Sequence, residues 1–81
     1  MKTPLGIKNE IISNLEHCLD ILILKDNGHN EFEIKRLYTL IYRLINEIKI
    51  IDAKEVLAYY KKSINGDVRS SLKRFNVELI Y

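Results

Sequence analysis

Between Ile34 and Ile51 the apolar residues fall at Ile34, Leu37, Ile41, Leu44, Ile48 and Ile51. Their spacing alternates three and four, the pattern of a packed helical seam. Tyr38, Leu40, Tyr42 and Ile45 widen it. At about 100° per residue the apolar arc spans roughly 200°, well beyond the stripe of an ordinary surface helix. Such a helix, predicted over about Asn30 to Ile51, must be covered from two sides. It is either the central helix of a small bundle or a helix shared between two subunits.

Ahead of it, Ile7, Ile11, Leu15, Cys18, Leu19 and Leu22 share one face of a helix predicted over Ile7 to Leu24. Ile12, Ile21 and Ile23 flank that face, and Glu10, Glu16 and Asp20 occupy much of the outer one. Residues 1–6, with Pro4 and Gly6, read as a loose arm. Lys25 to Asn30 form a turn around Asn27-Gly28, either of which is placed to close the first helix in a left-handed cap. So short a connection implies an antiparallel hairpin. Asn30 and Glu33 have capping-box spacing, and Glu31 and Glu33 suit the positive end of the helix dipole.

Asp52 marks a break before a third helix, Ala53 to Ile64, burying Ala53, Val56, Leu57, Tyr60 and Ile64. One continuous helix from Asn30 to Ile64 is the alternative, since no Gly or Pro forbids it. Asn65-Gly66 supplies a left-handed cap, and Asp67 opens a short fourth helix carrying Val68, Leu72 and Phe75. Residues 76–81 read as a helical end that frays, although Val77, Leu79 and Tyr81 alternate like a strand. The predicted class is all-α: one domain over residues 1–81, a small bundle of three to four helices.

Size sharpens this picture. A domain of 81 residues buries only about 60–65% of its unfolded surface and is marginally stable alone. Small domains usually add disulfides, a metal or a partner chain. Cys18 is the only cysteine, which excludes an internal disulfide and fits a reducing compartment. His17 and His29 lie at no recognised ligand spacing, so no metal is expected. Oligomerisation remains, and the wide arc of the central helix makes a homodimer the expected state. Residues 1–10 lack a secretory h-region, and Ile21-Leu22-Ile23-Leu24 is far too short to span a membrane. A cytoplasmic protein is expected.

The net charge of +2 is uneven: residues 1–52 carry seven Lys/Arg against eight Asp/Glu, and residues 53–81 six against three. The basic third contains Lys61, Lys62, Arg69, Lys73 and Arg74, interleaved with Tyr59 and Phe75, a candidate phosphate-contacting cluster. A solvated basic face is the bland reading. Tyr38 and Tyr42, four apart on the edge of the seam, either pack with rings in and hydroxyls out or contribute to an interface, where tyrosine is enriched.

Catalytic signatures are missing. There is no Gly-rich phosphate loop, HExxH, GxSxG or CxxC. His17 and Cys18, adjacent on a helix, point about 100° apart and form no nucleophile–base pair. Cys18 reads as a small core residue, His17 and His29 as surface ones. No enzyme and no cofactor are expected.

From Leu15 to Ile64 the chain resembles the YmgB or AriR family of enterobacterial biofilm-development proteins, which includes two-component-system connectors. The resemblance rests on Leu22-Ile23-Leu24 before an Asp/Asn/Gly turn, on Leu40-Ile41-Tyr42-Arg43-Leu44, and on Ile50-Ile51-Asp52-Ala53 opening a helix that ends near Ile64. It implies a dimerising helical domain and a non-enzymatic regulator of biofilm formation, acid resistance or a phosphorelay, acting through signalling or nucleoid-associated proteins. Residues 67–81 have no counterpart there, so the basic cluster gains nothing from it. Two other readings stand beside it. One is an immunity-type four-helix bundle that neutralises a basic toxin through Glu10, Glu16 and Asp20. The other is a small DNA-binding regulator that uses the C-terminal cations.

Overall fold

A computed structural model describes residues 2–81. Among them lie four helices and no strand: α1 (Pro4–Lys25), α2 (Glu31–Ile50), α3 (Ala53–Ser63) and α4 (Gly66–Arg74). The all-α bundle expected from the periodicity is what the chain forms. α1 and α2 make an antiparallel hairpin, α3 packs on both, and α4 touches α2.

The first helix begins earlier than expected. Pro4 stands in its first turn, where a missing N–H costs nothing. Thr3 caps it, its Oγ1 accepting the Gly6 N–H at 3.0 Å. The loose arm predicted over residues 1–6 is therefore helical from Pro4 onward, while Met1 lies outside the described residues.

The connection after α1 also departs from expectation. Gly28 has φ +83°, yet it sits inside the turn; α1 ends at Asp26 in extended conformation. Asn30 does not cap α2 through its side chain. Its amide instead spans the turn, accepting from Asn27 N–H at 3.0 Å and donating to the Lys25 carbonyl at 2.9 Å. That use satisfies one of the carbonyls left open at the end of α1.

α2 stops where Asp52 predicts. Asp52 caps α3, its side chain accepting from Lys54 N–H at 3.1 Å, which settles the break against a continuous helix. Lys8 reaches across from α1 and donates to the Lys49 and Ile51 carbonyls at 3.1 and 3.0 Å. A cation thus meets the open carbonyls and negative dipole end of α2. At the next corner Asn65 and Gly66 do not form a left-handed cap. Asn65 is extended (φ −83°, ψ 178°) and caps α4, accepting from Val68 N–H at 3.0 Å. Asp67 lies inside the first turn of α4. An Asn directly ahead of a helix relieves an open N–H there, and this outweighs its tolerance of positive φ.

The largest departure is the tail. Asn76, at φ +58°, ends α4 in a Schellman motif: Val77 N–H bonds to Leu72 O at 3.0 Å and Asn76 N–H to Lys73 O at 2.9 Å. Residues 77–81 then leave the helix and run without regular structure across α1, held there by Asn14, rather than fraying as helix. Val77 is 1% exposed and joins Leu72 in the core.

Candidate interaction surfaces

Ile34, Leu37, Ile41, Leu44 and Ile48 are all buried, none more than 3% exposed, and they pack with Ile11, Leu15, Leu22, Val56 and Tyr60 of the same chain. Ile51, expected to complete the seam, follows the last turn of α2 and is half-buried. The chain therefore covers its central helix by itself, with α1 on one flank and α3 and α4 on the other. Any second copy has to meet other surfaces.

One such surface is the edge shared by α1 and α2. Tyr38 and Tyr42 stack with ring centroids 6.4 Å apart and planes 9° from parallel. Tyr38 is half-buried and Tyr42 exposed. Tyr38 and Ile23 line one small hollow of about 260 Å³ between the two helices. The Lys8 contacts to Lys49 and Ile51 fix the same antiparallel register at the far end. By that register Tyr42, one turn beyond Tyr38, lies level with the turn of α1 that carries Glu16 and Leu19. Glu16 and Asp20 are exposed and, among the described residues, form no ion pair. Glu10 does not belong with them. It is held by Lys2 at 2.8 Å and by the Tyr81 hydroxyl at 3.1 Å. Its hydrogen bond from Lys2 keeps the carboxyl below its ordinary pKa.

The basic cluster is not one surface. Arg74 pairs with Glu33 of α2 and also donates to Ser71. Arg69 donates to the main-chain oxygen of Tyr81 at 2.8 Å. Two of its five cations thus hold the fold together, while Lys61, Lys62 and Lys73 are exposed without ion-pair partners among the described residues. Tyr59 donates to Glu47, and that bond raises its pKa above the ordinary value.

The tail carries a clamp that pattern reading missed. The Asn14 side-chain amide pairs with the extended backbone as a strand would, donating to Glu78 O at 3.3 Å and accepting from Ile80 N–H at 3.1 Å. Tyr60, fully buried, donates to Ile80 O at 2.6 Å. Cys18 lies beneath, its Sγ 3.7 Å from Glu78 O. Burial pushes the Cys18 thiol up to about 11 and raises Tyr60 as well, so the thiol is an unreactive core group. The available signal was the alternation of Val77, Leu79 and Tyr81; the partner, Asn14, is 64 and 66 residues from the tail residues it bonds and leaves no local trace. His17 and His29 are exposed as expected. Among the described residues no group of metal-ligating side chains gathers, and no helix is long and apolar enough to cross a membrane.

Comparison with models of known families, with curated proteins and with solved structures finds no match to this chain.

Proposed function

We propose that this chain is a small non-enzymatic regulatory protein that works by binding another protein through the exposed edge of its α1–α2 hairpin. One observation carries the reading. Among the described residues, six of the seven large apolar side chains left exposed lie on α1 and α2, and two of them, Ile23 and Tyr42, stand with Tyr38 along the edge the two helices share. Exposed apolar and aromatic groups gathered along one edge are the usual mark of a protein-binding surface. The resemblance to the biofilm-development and connector family supports a role in signalling or stress regulation. Where the protein pairs with itself, the closed seam directs that contact to the same outer edge.

A second reading, a bundle that neutralises a basic toxin, is favoured by Glu16 and Asp20. They are exposed on α1, form no ion pair among the described residues, and match a cationic partner. The two readings share a surface and differ in the partner's charge.

A photo-crosslinking residue placed at Tyr42, in the full chain in its native cells, tests the surface. The expected result is a discrete adduct that is lost when Ile23 is changed to Asp and absent when the crosslinker replaces Lys62. Adducts from position 62 but not from 42 refute it. Light scattering across concentrations decides whether the partner is a second copy.

A further inference from the structure

Behind the tyrosine edge, α2 presents a different face. A groove of about 630 Å³ runs along it from Phe32 to Glu47 and reaches Ser63 of α3. At 1.5 Å per residue that stretch is about 22 Å long, the length of some four helical turns. Leu40 and Leu44 form its floor, and Phe32, 87% exposed, stands at one end. Three cations and one carboxylate line it. Lys35 is taken by Glu31 at 3.0 Å, and Glu47 accepts from Tyr59. Arg36 and Arg43 have no ion-pair partner among the described residues. They stand seven residues apart, two turns or about 10.5 Å along one line of the helix.

We propose that this groove binds an acidic amphipathic helix of another protein. Carboxylates seven residues apart on such a helix repeat the spacing of Arg36 and Arg43, and arginine forks pair with carboxylates in bidentate fashion. Apolar residues at three- and four-residue spacing between those carboxylates meet Leu40 and Phe32. A nucleic acid would satisfy the arginines but leave the leucine floor facing a polar backbone. This groove adjoins the hairpin edge proposed above, sharing Lys35 and Thr39 with the hollow there, but Arg36, Leu40 and Arg43 belong to the groove alone, and its occupant need not be the same partner.

The test uses the full chain and a fluorescent 18-residue peptide, helical in design, with Glu at positions seven apart around a Leu stripe. A second peptide of the same composition has its helical phase scrambled, and a third carries Lys in place of Glu. Anisotropy should show saturable binding of the first peptide alone. Changing Arg36→Glu and Arg43→Glu together should weaken it at least about tenfold and transfer preference to the Lys peptide. Phe32→Ala should weaken it by about tenfold, the range of an exposed aromatic anchor. Tyr38→Ala with Tyr42→Ala should leave it unchanged, which separates this groove from the edge. Equal binding of the scrambled peptide, no binding to millimolar concentration, or no exchange of preference on charge reversal overturns the proposal. So does a DNA duplex or self-association that responds to the same variants in the peptide's place.

Discussion

Val77→Ala tests whether the tail is part of the folded core. Val77 is 1% exposed, follows the left-handed Asn76, and packs with Leu72 at the end of α4. Removing its two methyl groups loses about 1.6 kcal/mol of apolar transfer at about 0.8 kcal/mol per buried carbon. The cavity left in the core raises the cost to about 2–3 kcal/mol, because neighbours only partly collapse into it. A domain of 81 residues has about 4–12 kcal/mol of stability in all, so the loss is a large share. It corresponds to a fall in melting temperature of about 8–20 °C. Urea unfolding followed by circular dichroism at 222 nm measures it, with Glu78→Ala, at an exposed position, as the control expected within about 0.5 kcal/mol. Hydrogen exchange gives a second readout: the Val77 amide, bonded to Leu72 O at 3.0 Å, should be protected in the wild type. A Val77→Ala change costing no more than the Glu78 control, with an unprotected amide, would mean that the tail frays and that the clamp at Asn14 and Tyr60 does not hold.

Ile41→Asp, at a fully buried position, removes about 2–3 kcal/mol of apolar burial and buries an unpaired carboxylate at several kcal/mol more; circular dichroism should show an unfolded chain, and a cooperative native-like transition would refute its place in the core. Stability should fall as pH rises from about 9 to 11. The Cys18 thiol, ordinarily at 9.0, is held up to about 11 by burial, so the unfolded chain loses that proton first; two pH units of difference amount to about 2–3 kcal/mol. Tyr60, also raised by burial, adds to the loss above about pH 10, and Cys18→Ala should flatten the slope between pH 9 and 10 in urea titrations. Gly28→Ala should cost about 1–2 kcal/mol, since φ is +83° and an added Cβ touches nothing, which leaves backbone strain as the whole effect. Gly66→Ala, helical and equally unobstructed, should be neutral or stabilising by up to about 1 kcal/mol.

Whatever repeats at helical period or is decided within one turn is legible in the order of the residues. The seam from Ile34 to Ile48, the core face of α1 through Ile11, Leu15 and Leu22, and the break at Asp52 all follow from residues three or four apart. Even there, local rules competed: Asn30, Asn65 and Gly28 were each suited to two roles, and the neighbouring helix ends chose between them. Tertiary structure alone decided what covers α2. A 200° apolar arc requires two partners, but periodicity is the same whether those partners come from the same chain or from a second one. It also decided the fate of the charges, since Arg69, Arg74 and Glu10 find their partners 12, 41 and 8 residues away, beyond any local pattern. The tail shows the limit most plainly. A five-residue segment without regular structure has no internal hydrogen bonds to announce it, and Asn14, Tyr60 and Arg69, on three different helices, converge on its backbone to hold it.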